Sequence, residues 1–253
     1  MLVKDSLGQR MKENYENVSK TRLLRRTPVA IRIDGKAFHT FTRGFEKPFD
    51  MVLVNAMQNT LYDLCKNVQG CIFGYCQSDE ITLILQDYKK LDTSAWFDYE
   101  VQKLCSISAS MATVYFNKNF YEQVDLLEMV NEANRYYKAL AAGAMFDARC
   151  FNIPKEEVAN MLYWRQLDAT RNSIQMLGQA NFTHKELQNK SCNDIQDMLF
   201  TQKGINWNDL PAYLKRGIAC FKDDMNCWTL DHEIPEFNKN WDYINQFIYC
   251  EEE

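Results

Sequence analysis

Two spacings of apolar residues divide the chain. Short aliphatic runs read as strands: Val29-Ala30-Ile31-Arg32-Ile33-Asp34, the stretch Cys71–Leu85 broken by the polar Gln77-Ser78-Asp79-Glu80, and residues 145–151. Elsewhere apolar residues recur every three or four positions. Val54, Met57, Leu61, Leu64 and Val68 follow a capping Asp50, with Gly70 as the stop. Trp96, Val101, Leu104, Ile107 and Met111 mark a helix over 94–118, and Pro154 opens another over 154–177. Val3, Leu7, Met11, Tyr15 and Val18 give residues 3–20 the pattern of an amphipathic helix.

From residue 29 the order is strand, helix, strand, strand, helix, strand, the split βαβ or ferredoxin-like arrangement (βαββαβ). The expected fold class is α+β: an antiparallel sheet with helices packed on one face and the other face free for a ligand. Residues 178–253 predict short helices with one strand around Arg216–Phe221, a mostly helical C-terminal extension. The expected division is 1–177, a catalytic domain with its N-terminal helix, and 178–253, an accessory region packed on it.

Composition narrows the chemistry. A chain of 253 residues with 46% hydrophobic and 25% charged residues suits one well-buried core. None of the nine cysteines forms CxxC and only three histidines are present, which argues against a zinc site. Cysteines in apolar runs fit reduced core residues of a cytoplasmic protein. No apolar run approaches the ~18 residues of a membrane span. A net charge of −5 argues against non-specific coating of nucleic acid but leaves room for a local basic patch. The densest one is Lys20-Thr21-Arg22-Leu23-Leu24-Arg25-Arg26, a solvated connector or a contact for RNA phosphates.

Acids at strand ends carry the functional signal. Asp34-Gly35 ends the first strand and Asp79-Glu80 opens the strand Ile81–Leu85. If those strands are neighbours, Asp34 and Asp79 face each other, and two ionised carboxylates that close repel unless a divalent cation lies between them. Mg²⁺ takes such oxygen ligands, and two ions serve phosphoryl transfer by activating the attacking oxygen and stabilising the leaving one. Gly35 permits close backbone approach, and the turn from Gly35 to His39 offers amides to phosphate oxygens. Lys47 adds a fixed positive charge and Ser78 a hydroxyl. No GxxxxGK[ST], GxGxxG, HExxH or GxSxG motif is present, so a phosphate site here is not a Walker loop.

Arg32-Ile33-Asp34-Gly35-Lys36-Ala37-Phe38-His39, Glu46-Lys47-Pro48, Gly74-Tyr75-Cys76-Gln77-Ser78-Asp79-Glu80 and Trp164-Arg165-Gln166 together resemble the tRNA-histidine guanylyltransferase family, nearest its bacterial and archaeal guanylyltransferase-like branch. The resemblance spans about residues 29–175. It implies a polymerase-palm-like domain that adds nucleotides to tRNA 5′ ends in the 3′-to-5′ direction. Asp34, the backbone of Gly35 and Asp79 would ligate two Mg²⁺, with Asp34, Asp79 and Glu80 as catalytic positions. Asp34, Gly35, Lys36, Ala37, Phe38, His39, Lys47, Asp50, Ser78 and Asp79 would hold GTP, ATP or another nucleoside triphosphate. The family also implies tRNA as partner and a homotetramer. Where the eukaryotic enzymes carry His-Ile-Asn-Asn, this chain has Thr170-Arg171-Asn172-Ser173, which favours templated repair of shortened 5′ ends over untemplated G addition. Arg22, Arg25, Arg26, Arg165, Arg171 and Asn172 are the candidate RNA contacts; the three on the helix could instead bond to neighbouring helices. A nucleotide cyclase and an inactive RNA-binding palm domain are the alternatives, although retention of both aspartates argues against the latter.

Overall fold

The apolar runs form strands where they are short and helices where the spacing follows the helical turn. The computed structural model describes residues 6–128 and 133–249. Val3, Cys250 and the Glu251–Glu253 tail lie outside the described residues. In chain order the elements are α1 (Ser6–Met11), β1 (Val29–Gly35), α2 (Phe38–Phe41), α3 (Met51–Asn67), β2 (Cys71–Gln77), β3 (Glu80–Leu85), α4 (Val101–Glu128) and α5 (Tyr137–Ala142). They continue with β4 (Phe146–Asn152), α6 (Lys155–Asn181), α7 (His184–Leu187), α8 (Cys192–Lys203), α9 (Ala212–Arg216), β5 (Ile218–Lys222), β6 (Trp228–Asp231) and α10 (Asp242–Ile248).

The strands form one antiparallel sheet in the order β4-β1-β3-β2-β5-β6. Its first four positions are those of a βαββαβ chain, so the α+β, palm-like expectation holds. β5 is the strand expected near Arg216–Phe221; β6 was not foreseen, its four residues being too short for a visible alternation.

On one face Ile31, Ile33, Ile81 and Leu83 are buried under α3 and α4. The opposite face is covered over part of its area, where Ala30, Phe73, Tyr75 and Ile84 meet Val158 and Leu162 of α6 and Ile244 and Ile248 of α10. Asp34, Asp147 and Arg149 occupy the less covered end of that face: Asp34 is half-buried and the other two are exposed. A site therefore lies at one end of the sheet rather than across a whole bare face.

Three expectations need adjustment. The N-terminal segment is helical over Ser6–Ser19, but Leu7, Met11, Tyr15 and Val18 are all exposed, so the chain's own core does not cover that stripe. Residues Trp96–Tyr99 form a separate turn with positive φ at Phe97, Asp98 and Tyr99. This kink re-phases α4, which buries Leu104, Ser108, Ala112, Phe116, Phe120 and Val124 and turns Ile107 outward. Finally, the expected division at 177/178 falls inside α6, which continues to Asn181, while β5 and β6 complete the sheet begun by β1–β4.

Candidate active site

β1 and β3 are neighbours, and their register sets Asp34 opposite Glu80; on its other side Asp34 pairs with Asp147 of β4. Asp79 sits in the tight β2–β3 turn beside Ser78, whose φ of 51° is left-handed. The Gly35 amide donates to the Asp79 carbonyl at 3.1 Å, tying the two strand ends together. Burial pushes the Asp34 carboxyl above its ordinary pKa, and the charges of Glu80 and Asp147 add to this. Burial likewise raises Asp79, with a further contribution from Asp34, while the Ser78 hydroxyl donating to its Oδ1 at 3.1 Å acts the other way. Neither carboxylate has an ion pair among the described residues.

Beyond Gly35 the chain turns sharply. Ala37 adopts the left-handed conformation (φ 55°, ψ 38°) and leads into the single turn of α2. Phe38 anchors that turn, its ring 5.4 Å from Phe116 and 5.2 Å from both Phe41 and Phe146. Phe45, Phe120 and Tyr136 extend the aromatic bed. The turn passes so close to Gly35 that a Cβ there would lie 2.2 Å from the Phe38 ring. Asp50 caps α3 by accepting from the Leu53 amide at 3.1 Å; its other oxygen accepts from the Glu46 amide at 2.8 Å and the Tyr136 hydroxyl at 2.9 Å. Asp50 thus closes the loop from Thr42 to Phe49 onto its base.

This loop, the α2 turn and the β2–β3 turn enclose a cleft of about 510 Å³, open to solvent. That is room for a nucleotide-sized ligand. Of the ten residues expected at a nucleotide site, Gly35, Ala37, Phe38, His39, Lys47, Asp50, Ser78 and Asp79 line it. Asp34 stands beside the cleft, and Lys36 lines a different cavity. Met176 and Gln179 of α6 complete the wall. They were missed because they come from far along the chain, yet with Asn172 they form an i, i+4, i+7 line on one helix face that sequence spacing offers.

Glu80 is in a different state from its neighbours. It is buried, with Oε2 accepting from Arg32 Nη2 at 2.8 Å and Oε1 from Arg165 Nε at 2.7 Å. Arg165 also donates to Asp168 at 2.8 Å, and Arg171 reaches the same carboxylate. The Trp164 ring stacks against both arginines, 5.2 Å from Arg32 and 4.2 Å from Arg165. Arg165 is therefore a buried residue ion-paired with Glu80 and Asp168 and is not presented to solvent for RNA. Arg171 is exposed beside Asp168, and Asn172 lines a small cavity next to the cleft. In the basic segment, Arg25 bonds the fully buried Asp87 and the Thr93 carbonyl, and Arg22 lies 3.7 Å from Asp98. Arg26 is exposed, its amide donating to Asp87 at 2.8 Å. This segment serves first as a clasp holding the N-terminal arm to the sheet.

A family model described as tRNAHis guanylyltransferase (Thg1) matches residues 8–154. The chain belongs to that family. Membership places it among nucleotidyltransferases that act on tRNA. It is 30% identical over 231 residues to the mimivirus protein R259, covering 87% of this chain and 78% of that one. Against the tRNA(His) guanylyltransferase of Schizosaccharomyces pombe identity is 28% over 227 residues, covering 85% and 80% of the two chains. Among solved structures, a bacterial Thg1-like protein in complex with ATP superposes with a TM-score of 0.86 at 44% identity, over 97% of this chain and all of that one. Its counterpart in complex with GTP gives 0.80 at 41%, with the same coverage. The Saccharomyces cerevisiae enzyme shares the fold with a TM-score of 0.65 at 22% identity, over 89% of this chain and 99% of that one.

Proposed function

We propose that this chain is a Mg²⁺-dependent nucleotidyltransferase that extends tRNA 5′ ends in the 3′-to-5′ direction, chiefly to repair shortened ends against a template. The observation that carries this reading is the pair of carboxylates without ion partners, Asp34 and Asp79, at the edge of a cleft lined by eight of the expected nucleotide-binding residues. The ATP and GTP complexes of the bacterial relatives support assigning that cleft to a nucleoside triphosphate.

Asp34 and Asp79 offer only hard oxygen donors, and burial raises both carboxyl pKa values, with neighbouring carboxylates adding to it. Among the described residues no group of three or more His, Cys, Asp and Glu side chains is placed to hold a metal ion, so the protein side chains here number two. Two carboxylates with the Gly35 backbone carbonyl is a donor set suited to Mg²⁺, which is usually held by one or two carboxylates and completed by phosphates and water. When bound, the ions would supply charge neutralisation at the attacking and leaving oxygens.

The chain's own residues orient the reactants. Backbone amides of the turn residues Ala37, Phe38 and His39 and the Lys47 ammonium meet the triphosphate, the Gly35 and Lys36 amides and the Ser78 hydroxyl being bonded within the protein. The aromatic bed beneath Phe38 keeps that turn rigid, and rigid donors cost little reorganisation during reaction. Glu80 acts as a positioning residue: its two arginines fix the start of β3 and hence the turn carrying Asp79. A 5′-monophosphate end is first adenylylated by ATP, releasing pyrophosphate; the 3′-hydroxyl of the incoming nucleotide then loses its proton, attacks that 5′-phosphate and displaces AMP. Thr170-Arg171-Asn172-Ser173, in place of the eukaryotic His-Ile-Asn-Asn, supports templated repair. A cytoplasmic homotetramer completes the reading; among the described residues no helix is long and apolar enough to cross a membrane.

The test is incubation with Mg²⁺, the four nucleoside triphosphates and a tRNA lacking its first nucleotide, beside Asp79→Ala. Addition of the templated nucleotide by the wild type alone is the expected result. A cyclic product from nucleotide without RNA would replace this reading with a cyclase.

A further inference from the structure

A second cavity adjoins the cleft on the far side of the Lys36–Phe41 turn. Lys36, Arg43, Arg135 and Lys138 line it, over an apolar floor that includes Phe41 and Met145. Its described lining contains four cations and no carboxylate, on a chain whose net charge is −5. Only Arg135 has an acidic partner among the described residues, Glu46 at 3.3 Å, and that carboxylate is well exposed. Lys36, Arg43 and Lys138 are exposed and make no ion pair among the described residues.

The floor is braced while the cations ride on long arms. The Lys36 amide donates to the Met145 carbonyl at 2.8 Å. Asn117 holds the connection into β4 from both sides, donating to the Ala144 carbonyl at 3.0 Å and accepting from its amide at 2.8 Å. Cations gathered over one basin, with only Arg135 offset by a carboxylate among the described residues, repel one another unless anions fill it. The basin touches the nucleotide cleft only through Ala37 and runs toward the β4 edge, where Asp147 pairs with Asp34.

From this we infer that the basin binds the phosphodiester backbone of the RNA beside its 5′ end, holding the strand while the end lies at Asp34 and Asp79. The inference rests on the proposed function and assigns its RNA substrate a docking place. Dispersed cations on flexible arms suit a run of phosphates, which bind electrostatically and without sequence preference. A single triphosphate is already served by Lys47 in the neighbouring cleft.

The test uses Arg43→Glu, Lys138→Glu and the double variant, with Lys66→Glu as a charge control. Lys66 is exposed in the last turn of α3 and does not line the basin. Steady-state extension of the shortened tRNA is measured across a salt series, with ATP binding measured separately by calorimetry. For the double variant the KM for RNA is expected to rise roughly tenfold with kcat within about twofold. The slope of log affinity against log salt should flatten by about two, near one per lost phosphate contact. ATP affinity and the Lys66→Glu enzyme should match wild type. Unchanged RNA KM and salt slope in the double variant would overturn the inference. So would an equal loss of ATP affinity, which would assign the basin to nucleotide phosphate. If the wild type extends no RNA, the functional reading fails by itself; fluorescence anisotropy of labelled tRNA with the same variants then still decides the basin by its salt slope.

Discussion

Glu80 and the pair Asp34 and Asp79 are carboxylates at the same end of one sheet, yet they are treated in opposite ways. Glu80 is neutralised twice, by Arg32 at 2.8 Å and Arg165 at 2.7 Å. Asp34, directly opposite it in register, faces carboxylates on both flanking strands, and Asp79 adds a fourth acid nearby. Glu80 receives two guanidiniums and Asp147 one, from Arg149 at 2.9 Å, whereas Asp34 and Asp79 make no ion pair among the described residues, which fits the cation site proposed for that pair. On the proposed reading the doubly paired Glu80 belongs to the scaffold, and Asp34 and Asp79 to the chemistry.

Each side of this contrast can be broken in turn. The largest effect should come from Asp79→Ala, which removes one of two carboxylates from the ion site. Loss of several kcal/mol of charge stabilisation corresponds to at least about a 10³-fold fall in extension rate in single-turnover assays. Next, Arg165→Met should cost about 3–5 kcal/mol in urea unfolding, because Glu80 stays buried with half its charge unmet. Combining it with Glu80→Gln should recover part of that loss, as expected if the pair acts structurally. Gly35→Ala forces the Phe38 ring away from a Cβ that would lie 2.2 Å from it. It should cost about 1–3 kcal/mol and weaken ATP binding, read by thermal melting and calorimetry.

The smallest effect has a sign of its own. Asp79 has a raised carboxyl pKa, so the folded state holds its proton more tightly than the unfolded one does. Its contribution to stability is present below the unfolded pKa, near 4, and is lost as pH rises through the folded value. Metal-free Asp79→Asn should therefore melt about 2 °C above metal-free wild type at pH 7, with the gap closing toward pH 4. With Mg²⁺ and ATP present the order should reverse.

The strands and helices that build the sheet were legible because their apolar spacing is long and uninterrupted: Val54 to Val68 reads as one helix face, and Ile81–Leu85 as one buried strand. The phase of α4 was not, since the turn at Phe97, Asp98 and Tyr99 depends on backbone conformations that spacing does not encode. The eight expected nucleotide-site residues that line the cleft came from three short segments, 35–39, 47–50 and 78–79, and short segments bring their own geometry. Lys36 separated from them because successive residues in a turn point to different sides. Arg165 was legible as a special residue within Trp164-Arg165-Gln166, but its burial against Glu80 spans 85 positions. Only the packing of α6 on the sheet reveals it.

The central claim is that Asp34 and Asp79 lack ion partners because they await a divalent cation. The most direct test is a Mn²⁺ titration of ATP-bound, metal-free protein followed by electron paramagnetic resonance, in the wild type and in Asp79→Asn. The account predicts saturable binding by the wild type and an affinity at least roughly tenfold weaker in the variant, a difference of about 1.4 kcal/mol or more. Equal Mn²⁺ affinity in the two proteins would contradict it.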